Sequence, residues 1–250
     1  MSTYHEQEFR VDSRAVDLTG YIRPSALLGC LQEAATAAAL KLRASTPEVM
    51  AKYNCFWMVA RSWYRLDRPL YWNEDFTVRT WHRGGKGASS YRDYDLFHDG
   101  TLIGEGTSLW VLADADTGKL MRLDRLEEFQ STGGGELCKA KTLHKLKLPA
   151  PARTEARPMR YSDTDINGHV NNSKYADFAC DALHLERLLP GHFVEEFQIG
   201  YLKQCRAGES LEIRTGTDSG VLYAQGLGPE EDERFRCAVT LGELPGTPAQ

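Results

Sequence analysis

The sequence predicts a tandem α+β fold in which each half is a long helix followed by antiparallel strands. Three observations predict it: a turn motif that occurs twice, a helical pattern after each copy, and strand-like stretches after each helix. The segments Asp17-Leu-Thr-Gly-Tyr-Ile22 and Asp165-Ile-Asn-Gly-His-Val170 share an aspartate, a glycine and a final β-branched residue. They lie 148 positions apart in a chain of 250 residues. An internal repeat at this distance indicates two copies of one domain.

The first half opens with a helical pattern from Pro24 to Leu42, because proline favours the first turn of a helix and an apolar stripe continues beyond it. The stripe consists of Leu27, Leu31, Ala35, Ala38 and Leu42. Strands are predicted at 56–66, 75–81, 90–97 and 101–113, with glycine-containing turn signals between them. The segment His82-Arg-Gly-Gly-Lys-Gly87 lacks the spacing of a phosphate-binding loop and is predicted to be a solvated hairpin loop.

The second half repeats this order. A strand precedes Asp163, a helix is predicted from about Asn172 to Leu188, and strands are predicted at 193–205, 210–217, 221–226 and 234–241. Glycine and proline between the halves mark a connector. We therefore predict a first domain over 1–130, a connector over 131–157 and a second domain over 158–250. All five tryptophans lie in the first half, which indicates either a larger apolar cavity there or ordinary tryptophan packing.

Composition limits the function classes. A hydrophobic content of 42% supports packed cores, and no apolar run approaches the length of a membrane span. The first residues lack the features of a signal peptide, and the six cysteines show no C-x-x-C pair, so we expect a reduced, cytoplasmic protein. A net charge of −5 argues against general nucleic-acid binding. No metal or redox cofactor is predicted.

The second copy of the motif carries the chemistry. Asp165, Asn167 and His169 alternate just before a helical pattern. A carboxylate there can activate water, the amide and imidazole can orient it, and N–H groups at the start of the helix, near Val170 and Asn171, can stabilise an oxyanion. This set suits hydrolysis of an activated acyl compound.

The first copy carries Thr19 and Tyr21 at the positions of the amide and the imidazole. For this copy we favour a simpler interpretation, a helix-entry turn with a capping aspartate. We therefore predict that the second half carries out the chemistry and that the first half has a binding role.

The motif resembles that of the double hot-dog acyl-acyl carrier protein thioesterases, which release fatty acids from the carrier-protein thioester in plastids and bacteria. The likeness extends from about residue 5 to 240, and its most specific segment is Asp163-Thr-Asp-Ile-Asn-Gly-His-Val-Asn-Asn172. Further matches are Thr80-Trp81, Gly85-Lys86, Arg92-Asp93, Trp110-Val111 and Tyr201-Leu-Lys-Gln-Cys205. Asp163 to Tyr175 is also similar to the single hot-dog 4-hydroxybenzoyl-CoA type, where the aspartate matching Asp165 is catalytic. The resemblance implies a tandem hot-dog fold, each half a long helix wrapped by an antiparallel sheet, with the acyl chain bound in the first half.

By this resemblance Asp165, Asn167 and His169 occupy catalytic positions. Gln204 stands where the family strand usually has glutamate; an amide cannot act as a base, although it can hold a water. Cys205 is the nucleophile in an older Cys-His-Asn interpretation. If 193–205 is a strand, however, Cys205 shares an apolar face with alternate residues and is predicted to be a buried packing residue.

The partner implied is acyl carrier protein, with monomer or homodimer both feasible. Four lysines are candidates for docking this acidic protein, or else belong to a solvated connector: Lys139, Lys141, Lys145 and Lys147. Three alternatives remain open: an acyl-CoA thioesterase of the same fold, an enoyl-thioester hydratase, and a non-catalytic acyl-binding protein.

Overall fold

The computed structural model describes residues 4–123, 126 and 134–244, which contain four α-helices and ten β-strands. The helices are α1 (Pro24–Lys41), α2 (Thr46–Tyr53), α3 (Lys174–Ala182) and α4 (Leu185–Leu188). The strands are β1 (His5–Arg10), β2 (Cys55–Leu66), β3 (Asp75–Lys86), β4 (Ser89–His98), β5 (Thr101–Asp114), β6 (Arg153–Pro158), β7 (His192–Tyr201), β8 (Ser210–Asp218), β9 (Val221–Leu227) and β10 (Glu233–Glu243). The predicted order, a helix followed by four antiparallel strands in each half, is confirmed.

The chain forms two compact units that interleave along the sequence. The first unit comprises Met1–Arg10, Gly29–Trp63 and Asp75–Leu143. The second comprises Val11–Leu28, Tyr64–Glu74 and His144–Gln250, so both copies of the repeated turn belong to it. The domain boundaries predicted from sequence order stay a prediction, and residues 130–133, where the first domain was expected to end, lie outside the described residues.

In the first unit the strand order is β1-β3-β4-β5-β2. Helix α1 lies close to this sheet, since a Cβ built at Gly106 of β5 would lie 3.4 Å from Leu31 Cδ1. A bulkier residue at Gly106 would therefore meet the helix and the sheet at once. A separate apolar cluster packs around α2, and its members are Ala44, Val49, Cys55, Leu112, Leu123 and Leu126.

In the second unit the order is β7-β10-β9-β8-β6, with antiparallel pairing throughout. Helix α3 packs on β8, β9 and β10. Its Tyr175 ring meets the rings of Phe178, Tyr201 and Phe235 edge to face, at centroid distances of 5.5–5.9 Å. These aromatic contacts fix the start of α3 against the sheet.

Two helix predictions are corrected. The second long helix, predicted from Asn172 to Leu188, breaks after Ala182, because His184 adopts a left-handed backbone with φ of 53°. Helix α2 was not predicted, although Ser45 and Glu48 form a capping box at its start. In the α1 stripe, four positions are buried as predicted, but Leu42 lies beyond the helix and is exposed.

Two strand predictions are also corrected. Strand β3 continues to Lys86, so the segment from His82 is part of a β-ladder and His82 is buried rather than solvated. Strand β7 ends at Tyr201, four residues before Cys205. None of the described helices combines the length and apolar character that a membrane crossing requires.

Candidate functional site

The first copy of the motif closes a tight turn through its own backbone. Asp17 N–H donates to Tyr21 O at 2.9 Å, and Gly20 N–H donates to Asp17 O at 3.1 Å. Gly20 has a φ of +82°, in the left-handed region that a side chain rarely adopts.

The second copy forms the same turn. Asp165 N–H donates to His169 O at 2.8 Å, and Gly168 N–H donates to Asp165 O at 3.0 Å. Gly168 has a φ of +72°. Both backbone hydrogen bonds of the first turn thus recur in the second, which confirms the repeat inferred from the sequence. The positive φ favours glycine in both copies.

The aspartates of the two turns differ in how fully their carboxylates are used. Asp17 Oδ1 accepts bonds from Thr19 N–H at 2.8 Å, Thr19 Oγ1 at 2.5 Å and Tyr21 N–H at 3.3 Å. Asp165 Oδ1 accepts one from Asn167 N–H at 2.8 Å, and among the described residues no other bond to this carboxylate is found. An ionised carboxylate offers about four acceptor positions, so Asp165 keeps more capacity for a water than Asp17, whose Oδ1 accepts three bonds.

Neither aspartate caps a helix, so the capping interpretation of the first copy is wrong. Helix α1 begins at Pro24, and α3 begins at Lys174 with Ser173 as its N-cap. Each aspartate instead closes the turn that leads to its helix. The second turn lies at the surface: Ile166 at its tip is fully exposed, and Asn167 beside it is exposed.

The two N–H groups predicted to stabilise an oxyanion are already engaged. Val170 N–H donates to Cys205 O at 2.8 Å, and Asn171 N–H donates to Asp163 O at 2.9 Å. Neither is available to a developing negative charge in this structure, and that prediction is corrected. The first bond has a structural role instead, because it joins the turn to the loop after β7.

Gln204 and Cys205 lie in that loop, which we call the 202–209 loop. The predicted alternation of the two side chains on a strand therefore does not apply, yet Gln204 is exposed and Cys205 is fully buried. Burial raises the pKa of the Cys205 thiol, although a hydrogen bond with Tyr175 opposes the shift. Cys205 N–H donates to Tyr175 Oη at 2.9 Å, so the loop is tied to α3 as well as to the turn.

Arg234 of β10 holds the same loop and was not found from the sequence. Its Nη1 donates to Gln204 O at 2.6 Å and to Glu209 Oε2 at 3.1 Å, and it lies 3.8 Å from Cys205 Sγ. Its side chain is only 7% exposed. No local pattern distinguishes Arg234 from the nearby Arg236, so sequence reasoning had no signal for it.

The first unit contains a cavity of about 310 Å³ beneath α1. Small residues of the helix, Ala35 and Ala39, line one side, and the indoles of Trp57 and Trp110 line another. Both interpretations of the tryptophans therefore apply. Trp57 and Trp110 line a cavity, whereas Trp63 is an ordinary buried residue.

The predicted docking lysines are not equivalent. Lys139 is largely buried and forms ion pairs with Asp95 at 2.7 Å and Glu105 at 2.8 Å, so its predicted docking role is corrected. Lys141 Nζ lies 3.8 Å from the centre of the Trp63 ring. Lys145 is exposed and pairs with Glu233 at 3.2 Å, and Lys147 is exposed.

Comparison with known proteins adds two family matches. A family model described as the acyl-ACP thioesterase N-terminal domain matches residues 2–129, and one described as the acyl-ACP thioesterase C-terminal domain matches residues 148–239. The oleoyl-acyl carrier protein thioesterase of Coriandrum sativum is 26% identical over 191 residues, 70% of this chain and 50% of that protein. The palmitoyl-acyl carrier protein thioesterase of Gossypium hirsutum is 27% identical, over 74% of this chain and 46% of that protein. The chain thus spans about half the length of the curated relatives it matches.

Solved structures agree over nearly the whole chain. An acyl-ACP thioesterase from Bacteroides thetaiotaomicron superposes with a TM-score of 0.84 at 21% identity, covering 96% of this chain and 98% of that one. The 12:0-ACP thioesterase from Umbellularia californica gives 0.81 at 20% identity, covering 97% and 98%. The tandem hot-dog fold predicted from the sequence is confirmed.

Proposed function

The chain belongs to the acyl-ACP thioesterase family, and from this premise we propose that it hydrolyses fatty acyl thioesters carried by acyl carrier protein and releases the free fatty acid. The observation that carries the proposal is that the two turns share the same backbone hydrogen bonds but differ in the number of hydrogen bonds that their aspartate carboxylates accept. The Asp165 turn keeps acceptor capacity at the surface, where a thioester on a carrier can reach it. The Asp17 turn uses its carboxylate to hold itself together.

In the proposed reaction Asp165 accepts a proton from water as the oxygen bonds to the thioester carbonyl carbon. The tetrahedral intermediate then collapses, the carbon–sulfur bond breaks, and the thiolate leaves and takes up a proton. Asn167 and His169 position the water or the carbonyl, and Gln204 holds water by its amide. Direct attack by Asp165, which forms a transient anhydride, is the alternative within this proposal.

Cys205 takes no chemical part in the proposal. Its sulfur is buried, and the same burial that raises the thiol pKa disfavours the thiolate that nucleophilic attack requires. The carbonyl and N–H of this residue instead hold the 202–209 loop against the turn and α3. The Cys-His-Asn mechanism therefore receives no support from the surroundings of the thiol.

The acyl chain is proposed to bind in the first unit. The cavity beneath α1 is lined by small helix residues and by two indoles, which supports an apolar ligand. This agrees with the roles inferred from the repeat, in which the second copy of the turn carries out the chemistry and the first half binds the ligand.

Acyl carrier protein remains the proposed partner, with a smaller docking patch than the sequence suggested. Lys145 and Lys147 are the two of the four lysines that are exposed. All six cysteines are free thiols in the structure, which supports a reducing compartment such as the cytoplasm. Both a monomer and a homodimer fit a covalent tandem.

The test is a panel of acyl-carrier-protein and acyl-CoA thioesters of varied chain length, scored by kcat/KM from thiol release. We expect carrier-protein thioesters to be preferred. A preference for CoA thioesters supports the acyl-CoA alternative, and addition of water to an enoyl thioester without thiol release supports a hydratase. No turnover of any substrate by folded protein would leave an acyl-binding protein as the remaining interpretation.

A further inference from the structure

Part of the sheet surface that lines the cavity beneath α1, which we call the floor, is polar, although sheet surfaces beneath a helix normally carry apolar side chains. Ser90 and Arg92 of β4 alternate onto one face, and Arg92 lies opposite His82 on β3 and Ser108 on β5. All four side chains are buried. His82, Ser90 and Ser108 have hydrogen-bond partners within the sheet, so their burial is not costly in itself. The charge of Arg92 is the part of this surface that a purely hydrocarbon ligand would not match.

Arg92 is the informative member of this floor. The residue is 8% exposed and lines the cavity, and the hydrogen bond found for its guanidinium runs from Nη1 to Thr80 Oγ1 at 3.2 Å. Among the residues that the structure describes, no carboxylate forms an ion pair with it. A buried cation with a single neutral partner is costly, so an anion that entered the cavity would be bound strongly.

The acidic neighbour of Arg92 does not neutralise it. Asp93 points to the opposite face of β4, where Arg83 donates to both of its carboxylate oxygens at 2.6 and 2.7 Å and Lys139 N–H donates at 2.9 Å. His82 adds no charge of its own, because burial and the nearby Arg92 lower its pKa to about 4. The floor of the cavity is therefore positive at neutral pH.

The apolar residues that line the cavity determine what the rest of the ligand must be like. Ala35 and Ala39 of α1, together with Trp57 of β2 and Trp110 of β5, present apolar surface around the polar floor. The cavity volume of about 310 Å³ lies at the lower end of the usual range for ligand sites, about 300–1,000 Å³. A short or medium aliphatic chain with an anionic end matches both surfaces, and a carboxylate matches the planar fork of a guanidinium best.

We propose that this cavity binds an aliphatic chain through a terminal carboxylate paired with Arg92. The carboxylate has two sources, a free fatty acid or the far end of a dicarboxylic acyl chain held as a thioester at its other end. The second source rests on the proposed thioesterase function, whereas the first requires only binding.

Binding is tested with octanoate and, as the uncharged match, 1-octanol, by calorimetry and by the fluorescence of the two cavity indoles. We expect octanoate to bind about tenfold or more tightly than octanol, since a charge-assisted pair is added. Arg92→Met should remove this preference and leave octanol binding unchanged, while Arg92→Lys should retain most of it. Arg79→Met is the matched control, because Arg79 lies on β3, pairs with Glu6 and does not line the cavity.

Equal binding of octanoate and octanol by the wild-type protein, or full octanoate preference in folded Arg92→Met, overturns the proposal. If Arg92→Met does not fold, the wild-type comparison and Arg92→Lys decide the matter, since neither depends on that variant. These binding measurements require no turnover, so a failure of the proposed hydrolysis would be seen separately in the thiol-release panel.

Kinetics then separate the two sources. If the far carboxylate of a substrate is bound, the monothioester of octanedioic acid should have a higher kcat/KM than the octanoyl thioester, and Arg92→Met should reverse that order. If a free fatty acid is bound, octanoate should inhibit hydrolysis of the octanoyl thioester, and Arg92→Met should relieve the inhibition. Absence of both effects alongside unselective binding rejects the proposal entirely.

Discussion

At the scale of single residues, Asp17 and Asp165 provide a comparison within one molecule. The two turns share the same backbone hydrogen bonds, so the same substitution can be compared in both. The carboxylate of Asp17 receives three hydrogen bonds, whereas the carboxylate of Asp165 receives one among the described residues. A chemical role for Asp165 should therefore show as a difference in turnover between matched variants.

We expect Asp165→Asn to lower kcat by roughly 10²–10⁴ with the fold retained, the usual scale for a positioned acid or base. Asp17→Asn should leave kcat within a few-fold while lowering stability slightly, because its carboxylate serves the turn. Thiol-release kinetics and thermal unfolding check both. Near-normal turnover by folded Asp165→Asn would remove this residue from the mechanism.

Cys205→Ser should retain most of the activity, because the thiol is buried and the loop is held by the backbone of this residue. A modest loss of stability is expected from placing a hydroxyl in an apolar site. The measurements are kcat and the midpoint of urea unfolding. Mass spectrometry that traps an acyl group on Cys205 would contradict the structural role and restore the Cys-His-Asn mechanism.

His82 should make the protein less stable in mild acid. Its folded pKa is about 4, against 6.5 when unfolded, because burial and Arg92 disfavour the charged ring. The unfolded ring takes up a proton first as the pH falls, so the stabilisation is complete above about pH 6.5 and is lost between there and about pH 4. The total is at most about 3 kcal/mol.

The measurement is the free energy of unfolding from urea titrations at pH 7 and pH 5. His82→Gln should flatten the difference between these two values, because the amide does not titrate. His5, whose pKa is also lowered by burial, is present in both proteins and cancels in the comparison. An equal acid sensitivity in the wild type and the variant would mean that His82 is not the cause.

The residue types of the site could be predicted, because the repeated motif displays them in the sequence. The use of the N–H groups of Val170 and Asn171 could not, because it depends on acceptors from residues elsewhere in the chain. Arg92 and Arg234 were missed as functional side chains for the same reason: a buried arginine in a strand looks like any other charged residue until its surroundings are known.

At the scale of elements, β10 holds the 202–209 loop in place beside the Asp165 turn. Arg234 on β10 donates to the backbone and to Glu209 of the loop, and Cys205 O accepts a bond from Val170 N–H of the Asp165 turn. We infer that Arg234 is a positioning residue, since it acts through the loop and not on the substrate.

Arg234→Met should lower the free energy of unfolding by about 2–3 kcal/mol, because the carbonyl of Gln204 and the partly buried carboxylates of Glu209 and Asp232 lose a donor. Amide exchange at Val170 should accelerate as the loop loosens, and kcat should fall more than KM rises. Arg206→Met is the control, since Arg206 lies in the same loop and is exposed. Unchanged exchange at Val170 would show that the loop does not depend on Arg234.

Element types were predictable and element ends were less so. Alternating and helical patterns gave α1 and the four strands after the helix in each half, with ends within five residues, whereas β1 was not predicted. The break after Ala182 was not visible, because no glycine or proline marks it and His184 supplies the left-handed backbone. Helix α2 could have been found from Ser45 and Glu48, whose spacing is that of a capping box.

At the scale of the whole molecule, the interleaved units differ from a simple division into halves. Val11–Leu28 and Tyr64–Glu74 come from the first half of the sequence but belong to the unit that contains the Asp165 turn. Tyr64, for example, stacks on Phe197 of β7 at 5.9 Å. A linear pattern reports the order of elements and cannot reveal such an exchange.

A fragment of residues 144–250 should therefore not fold alone, although it contains the whole of the second family match. We expect no cooperative thermal transition and strong binding of an apolar dye, because surfaces normally covered by the two earlier segments are exposed. Co-expression with residues 1–143 should restore cooperative unfolding and thiol release. A sharp transition in the isolated fragment would show that the earlier segments are dispensable.

The interleaving also determines when the second unit can fold during synthesis. Val11–Leu28 leaves the ribosome early, but the strands that complete its unit follow His144, more than 100 residues later. Because domains usually form as their chain emerges, this unit is an exception that has to wait. During that interval a long stretch of apolar surface has no partner, and contacts between residues so far apart form slowly. The second unit can therefore complete its fold only after the residues beyond His144 have been synthesised, and a chain that stops before them leaves Val11–Leu28 and Tyr64–Glu74 without the rest of their unit.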